Sequence, residues 1–373
     1  MQLSLLSKLR CPDCRQGQVT LEEFSNDEGA LDPEEVLEGV LSCGHCDSWF
    51  PVIGGVPRML PTELREKLPN DYPDFYRRNS EALPHVAGAI PVVKDDHLRG
   101  QEHVMDAFGF EWNEFSEYSH DNFDQWVEPL TPEFFDGKFG LDAGCGAGRH
   151  SRKAHSYGAR LIAMDLSPAV DASYDKARMI DGIDVVQGDI FNPPFPDGIF
   201  EFIYSIGVIH HTPDPPRAFQ QLVSHLKPGG TVCCLVYASG RPLALGLLDG
   251  IRKVTTRLPL PLVRALSWTA AAIDTALPIT AFRIARKLGA GDETLAKVFP
   301  EHVRIYADRS FDTNYTDWQD RLSYPYVHYY SPTEMQGWLD TAGLEDTQVN
   351  EVGTHGVTGV GVVPTTVAER AAS

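Results

Sequence analysis

The sequence contains no uninterrupted apolar stretch of the roughly 18 residues that a membrane-spanning helix requires. Its opening residues, MQLSLLSKLRCPDC, also lack the apolar core and the small-residue cleavage site of a signal peptide. Positive charge is scarce, because 32 Lys and Arg stand against 52 Asp and Glu, for a net charge of −20. A broad nucleic-acid surface is therefore not expected, since it depends on clustered basic side chains. These absences predict a cytoplasmic protein.

Cysteine is infrequent too, with seven residues, and an odd number without an export signal argues against a disulfide framework. Four of the seven form two C-x2-C pairs with 28 residues between them. Two such turns can bring four thiolates to one tetrahedral ion, and strand-like segments surround them. A redox C-x2-C pair is the alternative. The spacing favours a zinc ribbon whose structural Zn²⁺ is held by Cys11, Cys14, Cys43 and Cys46.

A glycine-rich run, LDAGCGAGRH at 141–150, follows an apolar segment that predicts a strand. The dinucleotide fingerprint is G-x-G-x-x-G, whereas this run has G-x-G-x-G with Arg149 where the third fingerprint glycine belongs. A carboxylate at Asp142 would repel a pyrophosphate but can receive an ammonium group. By itself the run leaves open a dinucleotide, the methionine end of S-adenosylmethionine, or a packing turn without a ligand.

The segments around this run alternate between strand and helix patterns. Strands are predicted at 139–143, 160–165, 183–189, up to about 205, and 231–237, with helices at 149–157, from Pro168, and at 216–226. Such alternation predicts a parallel sheet covered on both faces, with ligands at the carboxyl ends of its strands. Two of those ends carry acids, Asp165 and Asp189, of which one can hold ribose hydroxyls and the other an adenine amino group.

The motifs LDAGCGAGRHS, AMDLS, QGDIFNPPF, SIGVIHHTPDPPRAF and LKPGG resemble, in order and spacing, class I Rossmann-like S-adenosylmethionine-dependent methyltransferases, in particular the type 11 group. The resemblance covers about residues 100–240 and 325–365. It implies an α/β fold with a doubly wound, mostly parallel, seven-stranded sheet and S-adenosyl-L-methionine as cofactor. The implied cofactor contacts are Asp142, Gly144, Gly146 and Gly148 at the methionine end, Asp165 and Leu166 at the ribose, Asp189 and Ile190 at the adenine, and Ser205 and Gly207 on the floor.

Residues 1–62, including FPVIGGVPRML, are similar to the small zinc-ribbon activator proteins that partner translation-related methyltransferases. In that family the module often covers apolar surface on its catalytic partner. Here the resemblance implies that the partner lies further along the same chain.

An insertion separates the fifth predicted strand from the end of the domain. Between 251 and 290 it holds seven basic residues and one acid, a net charge of +6, and it is rich in Leu, Ala and Ile. Prolines 259, 261 and 278 are expected to divide it into short helices lying over the strand ends. Three interpretations stay open: a helical lid that encloses the substrate, a basic amphipathic surface for peripheral membrane contact or a lipid-linked substrate, and a docking surface for protein or RNA.

The predicted domain organisation has five parts. They are a zinc ribbon (1–62), a linker and helical cap (63–135), a Rossmann-like core (136–238), the helical insertion (239–331), and a last helix with two closing strands (332–373). In the cap, a helix over 107–118 is expected to place Phe108, Trp112 and Phe115 on one face. The tail at 365–373 is expected to be disordered.

Methyl transfer from a sulfonium requires a nucleophile held against the methyl group, and a hydroxyl nucleophile gains from a general base. The candidates for that base or for acceptor contact are His211 first, then His210, His328 and Tyr329; the alternative is that each histidine only shapes the pocket. The expected reaction is methylation of an oxygen or nitrogen on a small-molecule, glycan or lipid-linked acceptor. Methylation of RNA or a translation factor, and a non-catalytic scaffold, are the alternatives.

Overall fold

The structure is a computed structural model that describes residues 1–26, 35–84, 96–114, 122–240, 242–353 and 355–365. These residues divide into two compact units. One unit contains the described residues within 1–113, 119–240 and 326–373, and the other those within 114–118 and 241–325. Phe115, and the predicted tail beyond Thr365, lie outside the described residues.

The N-terminal segment is a small antiparallel sheet, as the ribbon prediction requires. Its elements are helix α1 (Leu3–Leu6) and strands β1 (Val19–Asn26), β2 (Val36–Cys43), β3 (Trp49–Ile53) and β4 (Val56–Met59). The strands pair in sequence order, β1 with β2, β2 with β3 and β3 with β4.

Short helices connect this segment to the core. They are α2 (Thr62–Arg65), α3 (Leu68–Asp71), α4 (Pro73–Arg78), α5 (Asp96–Glu114), α6 (Phe123–Trp126) and α7 (Pro132–Phe135). The predicted aromatic helix corresponds to the C-terminal half of α5. Its Phe108 and Trp112 are one helical turn apart, which puts both side chains on one face.

The core alternates strand and helix. Its elements are β5 (Phe139–Ala143), α8 (Arg149–Ser156), β6 (Arg160–Asp165), α9 (Val170–Ala177), β7 (Ile183–Gly188), β8 (Phe200–Ile206), a 3₁₀ turn (Ile209–His211), α10 (Pro215–Ser224) and β9 (Leu226–Tyr237). Two boundaries differ from prediction. Helix α9 begins at Val170, because Pro168 lies in the turn that Asp165 and Ser167 organise. Strand β9 begins at Leu226, which already pairs with Phe200 before the LKPGG segment.

The insertion is helical, as predicted. It contains α11 (Pro242–Thr255), α12 (Leu260–Asp274), a π-helical turn (Thr275–Ile279), α13 (Thr280–Lys287), α14 (Asp292–Val298), α15 (Glu301–Tyr306) and α16 (Phe311–Ser323). This unit has its own apolar cluster around Ile279, Phe282 and Val303. Among the described helices, none combines the length and the apolar content needed to cross a bilayer. That the insertion covers the strand ends stays a prediction.

Pro278 does not interrupt the helix, contrary to the sequence expectation. The backbone keeps right-handed helical angles at Asp274, Thr275, Ile279 and Thr280, so α12, the π-helical turn and α13 form one continuous helix. The wider turn accommodates the proline ring, and the Thr280 hydroxyl donates to the Thr275 carbonyl over 2.7 Å.

The chain closes with α17 (Pro332–Thr341), β10 (Glu345–Val352) and β11 (Gly356–Val362). Ser331 and Glu334 form a capping box at the start of α17. The strand order is β1-β2-β3-β4-β7-β6-β5-β8-β9-β11-β10. The last seven strands of that order are the expected methyltransferase sheet, in which β11 runs antiparallel to both of its neighbours, β9 and β10.

The ribbon continues this sheet at its β7 edge. Strand β4 runs parallel to β7, with Arg58 opposite Gln187. The Arg58 side chain is fully buried and donates to Gln187 Oε1 at 3.2 Å, to the Ile53 carbonyl at 3.0 Å, and to Asp171. Gln187 in turn donates to the Leu166 carbonyl at 2.9 Å. A buried charge therefore joins the ribbon to the loop after β6, and the β7 edge has a partner strand.

Candidate functional site

The four cysteines of the ribbon converge on one point. Their Sγ atoms all lie within 4.8 Å of one another, with 3.5 Å from Cys11 to Cys46 and 3.7 Å from Cys14 to Cys43. Zn–S bonds of about 2.3 Å in a tetrahedron place sulfurs about 3.8 Å apart. A Cβ atom on Gly17 would come within 2.2 Å of the Cys43 sulfur, so only glycine fits there. The cluster fits structural zinc with four protein ligands and no open position.

A cavity opens at the carboxyl ends of β5 to β8, where the sequence places the cofactor. Helix α5 covers one side of it with Gln101, Val104, Met105, Phe108 and Trp112. The remaining lining residues are Gly144 to Ala147, Arg149, His150, Met164 to Ser167, Gly188 to Phe191, Ile206 to Val208, His211 to Pro213, and Tyr326.

The glycine turn uses its own N–H groups internally. Gly144 and Cys145 both donate to the Met164 carbonyl, at 2.7 and 3.0 Å. Gly146 donates to Asp165 at 2.9 Å, and Gly148 donates to the Cys145 carbonyl at 2.9 Å. A pyrophosphate site needs several such groups directed at the ligand. Of the three ligand classes that the sequence left open, the dinucleotide is therefore disfavoured.

Two carboxylates face the cavity at neighbouring strand ends. Asp165 accepts three hydrogen bonds, from the Gly146 N–H and from the N–H and hydroxyl of Ser167, at 2.7 to 2.9 Å. These use three of its roughly four acceptor positions, so the group is held rigidly. Burial raises its pKa despite these bonds. Asp189 accepts from the Phe191 N–H at 3.1 Å. These carboxylates can accept hydrogen bonds from hydroxyl and amino groups and attract a cationic ligand, whereas they repel phosphate groups.

Asp142 is buried directly beneath the turn. Its Oδ2 accepts from the Ser151 hydroxyl at 2.6 Å and from the Tyr204 hydroxyl at 3.1 Å. Burial raises its pKa to about 7 and outweighs these two donors. A cationic ligand nearby would favour its ionised form.

This pKa predicts how stability varies with pH. A carboxyl that binds its proton more tightly when folded stabilises the fold at low pH, and that contribution is lost as pH rises from 3.8 through about 7. Without cofactor, the unfolding free energy of the wild type should fall between pH 5 and 8 by about 2–3 kcal/mol more than that of Asp142→Asn. Urea unfolding at both pH values measures this. Asp197→Asn, at a carboxylate 75% exposed, is the control; equal pH slopes in wild type and Asp142→Asn would contradict the prediction.

The predicted acceptor-side residues gather around Tyr237. The His210 ring lies 3.9 Å and the His211 ring 5.6 Å from its ring centroid, and Tyr329 stacks on it at 6.4 Å. The His328 N–H donates to the His210 carbonyl at 2.9 Å. Neither ring nitrogen of His210 has a hydrogen-bond partner among the described residues, and burial lowers its pKa well below the usual value.

Of these four residues, His211 is the one in the cavity lining. Its Nδ1 lies 3.0 Å from the Tyr326 carbonyl oxygen. Because a carbonyl only accepts, Nδ1 carries a proton and donates it to Tyr326. The Phe108 ring makes a T-shaped contact with this ring at 5.3 Å. The hydrogen bond and the ring contact together restrict the orientation of the imidazole.

The cavity lining contains eight of the predicted residues: Gly144, Gly146, Asp165, Leu166, Asp189, Ile190, Gly207 and His211. Six other predicted site residues are not among the described lining residues: Asp142, Gly148, Ser205, His210, His328 and Tyr329. Gly148 packs against Ser173, and the Ser205 hydroxyl donates to the Ala143 carbonyl at 2.8 Å, so both support the turn from behind. Sequence reasoning missed Arg149 and Tyr326 as lining residues; the aromatic run at 324–330 was a usable signal for Tyr326.

Two protein-family models match this chain. Residues 141–234 match a methyltransferase domain, and residues 2–55 match the Trm112p-like proteins. The first match contains the glycine turn and both cavity carboxylates, and the second contains all four clustered cysteines. The predicted cofactor, S-adenosylmethionine, agrees with the first match, and structural zinc agrees with the second.

Similar proteins extend this finding. A malonyl-[acyl-carrier protein] O-methyltransferase from Serratia marcescens is 35% identical over 33% of this chain and 49% of its own length. A tRNA U34 carboxymethyltransferase from Cellvibrio japonicus is 27% identical over 53% of this chain and 62% of its own length. The chain thus spans about half the length of the first relative. A solved chain from a complex of the Haloferax volcanii Trm112 methyltransferase activator with a methyltransferase has a TM-score of 0.42, 16% identity, and coverage of 70% of this chain and 97% of its own. The chain therefore matches two family models in separate segments, Trm112p-like proteins at 2–55 and a methyltransferase domain at 141–234.

Proposed function

We propose that this protein is an S-adenosylmethionine-dependent methyltransferase that acts on an oxygen or nitrogen of a small-molecule or lipid-linked acceptor. The observation that carries the proposal is the cavity wall, where a turn with internally bonded N–H groups meets two carboxylates, Asp165 half-buried and Asp189 buried. That chemistry suits a cationic nucleoside and disfavours a pyrophosphate. The methyltransferase-domain match over the same residues supports it.

In this proposal the chain holds the donor and excludes water. Asp165 and Asp189 would receive the ribose and adenine donors, with Leu166 and Ile190 beside them, and Gly144 and Gly146 would let the backbone approach the methionine end. Asp142, Gly148 and Ser205 would act from behind the lining by fixing the turn. Bound S-adenosylmethionine supplies an activated methyl group whose neutral thioether leaves without acid assistance.

Two features favour a small-molecule or lipid-linked acceptor. The net charge of −20 opposes a broad nucleic-acid surface. The relative from Serratia marcescens is named as a malonyl-[acyl-carrier protein] O-methyltransferase, so its named acceptor is a malonyl group and not a nucleic acid. A glycan acceptor and a cytoplasmic location are proposals from the sequence alone.

Isothermal titration of the zinc-replete chain tests the donor half. We expect one saturable site for S-adenosylmethionine and one for its demethylated product, S-adenosylhomocysteine. A folded protein that gives no heat with either compound would overturn the proposal and revive the non-catalytic scaffold.

Label transfer tests the acceptor half. The protein is incubated with methyl-labelled donor and with separate lipid, small-metabolite and RNA fractions of a cell extract. We expect label in the lipid or small-metabolite fraction. Label confined to RNA would contradict the acceptor class.

Methylation of RNA or a translation factor is the second candidate. Two observations favour it: the Trm112p-like match and the tRNA-modifying relative. The label-transfer experiment separates it from the first, because tRNA would then carry the methyl group.

His211→Gln should lower turnover of a hydroxyl acceptor by about 10²- to 10⁴-fold, because it removes from the cavity lining the imidazole that we propose as the base. Donor affinity should stay within about threefold, since the substitution leaves the donor cradle intact. Steady-state kinetics and calorimetry measure the two effects. His155→Gln, at a histidine that also contacts a backbone carbonyl but lies outside the lining, is the matched control. Full turnover by His211→Gln would exclude it as the base.

A further inference from the structure

Exposed apolar side chains are concentrated in the insertion. Twelve large apolar side chains are exposed among the described residues, and eleven of them lie between Leu247 and Val298. The other one is Met179, in the methyltransferase domain. Scattered exposed apolar residues are ordinary, whereas a contiguous set marks an interaction surface.

Six of these side chains lie along the continuous α12–α13 helix, the last of them at its C-cap. They form three pairs with i, i+4 spacing that repeat every 11 residues: Leu262 and Leu266, Ile273 and Leu277, Ile284 and Leu288. On regular α-helix an 11-residue repeat corresponds to about 3.67 residues per turn, which keeps the first two pairs nearly in line; the wider π-helical turn then rotates the third pair around the helix axis relative to them. At about 1.5 Å per residue, this apolar stripe is about 39 Å long. Its members are 40% to 82% exposed.

Positive charge accompanies the apolar stripe. The segment 251–290 has seven basic residues and one acid, Asp274, which is buried beside His302. Lys253, Arg257 and Lys287 are exposed. Within 251–290, all of which the structure describes, no acidic side chain is exposed. The surface of this segment is therefore apolar and cationic, in a chain whose net charge is −20.

We propose that the apolar stripe and its neighbouring basic side chains dock the protein onto an anionic lipid bilayer. A bilayer interface accepts a long row of apolar side chains, and anionic headgroups complement the lysines and arginines. A second copy of the chain would instead bring two cationic surfaces together, which opposes association. The link to a lipid-linked acceptor rests on the proposed function, whereas bilayer docking does not.

Vesicle flotation of the full chain, without methyl donor, tests the docking. The probes are vesicles of phosphatidylcholine alone and vesicles in which about one third is phosphatidylglycerol. We expect the wild type to float with the anionic vesicles only, and less at high salt. Leu266→Glu with Leu277→Glu should lower the bound fraction at least about tenfold, because both charges fall inside the apolar stripe. Met179→Glu, at an apolar side chain 59% exposed outside the insertion, should float like the wild type.

Further variants keep the outcome unambiguous. Leu266→Ser with Leu277→Ser lacks the added negative charge and should also lose binding, with thermal unfolding verifying that it folds. The proposal would be overturned if the wild type floats with neither type of vesicle. It would also be overturned if a stripe variant floats like the wild type. A third outcome would also overturn the proposal: the wild type is a dimer that does not bind vesicles, and the stripe variants are monomers. The apolar stripe would then be an interface between two copies of the chain. Donor binding is read separately by calorimetry, so failure of docking and failure of methyl transfer are distinguishable.

Discussion

Cys43→Ser should abolish zinc binding and unfold the Trm112p-like domain. Apparent zinc-binding free energies for four-ligand structural sites are about 10–16 kcal/mol, comparable to or larger than the total stability of an ordinary domain. Cys43 is 3% exposed at the end of β2, and its sulfur lies 3.7 Å from that of Cys14. Metal analysis should find about one zinc per wild-type chain and almost none in the variant.

Unfolding of the ribbon should also destabilise the methyltransferase domain. Strand β4 covers the edge of β7, and the Arg58–Gln187–Leu166 bonds end beside the cavity. We therefore expect weaker donor binding by calorimetry and faster proteolysis of the variant. Cys233→Ala removes a buried thiol far from the zinc cluster in sequence, on β9, and should retain zinc. Full zinc occupancy in Cys43→Ser would contradict the four-cysteine site.

Gly144→Ala should eliminate measurable donor binding, a loss of about 100-fold or more. Gly144 has φ of +90°, a conformation that costs a non-glycine residue about 1–3 kcal/mol. An added Cβ would also lie 2.3 Å from Val208 Cγ2, and Val208 lines the cavity. Either the turn or Val208 must move, and both change the shape of the cavity. Calorimetry with the donor measures the loss.

Gly137→Ala separates conformational cost from steric clash. Gly137 has φ of +71°, but nothing lies within 4 Å of the Cβ that alanine would add, and it is outside the cavity lining. This variant should lose about 1 kcal/mol of unfolding free energy and bind the donor normally. Normal donor binding by Gly144→Ala would show that the turn tolerates a side chain and would remove it from the cofactor site.

The sequence predicted local features that depend on short spacings. The C-x2-C pairs, the glycine turn and the acids at the ends of β6 and β7 are each contained in a few residues. Strand and helix patterns placed most core elements to within a few positions, whereas α5 begins at Asp96, well before the predicted helix over 107–118. The predictions at Pro168 and Pro278 were less accurate. Helix α9 begins after Pro168 because Ser167 and Asp165 form a hydrogen-bonded turn there, and the π-helical turn accommodates the ring of Pro278 without ending the helix.

Cavity access could not be predicted from the sequence. His210 and His211 are adjacent, yet only His211 contributes to the described lining, because the 3₁₀ turn directs the two rings differently. Likewise Asp142 and Gly144 are two residues apart, but the aspartate points down to Ser151 and Tyr204. These outcomes depend on which neighbours occupy the space around each side chain.

By itself, then, the sequence predicted the two family matches, the four cysteines that cluster and the class of the cofactor, because each depends on short motifs in the chain. The tertiary structure decided the rest. The parallel pairing of β4 with β7, the buried Arg58 between them and the choice of His211 over His210 depend on contacts between residues distant in sequence. Such contacts are selected by packing and by the need to satisfy every buried polar group, and no local pattern encodes either.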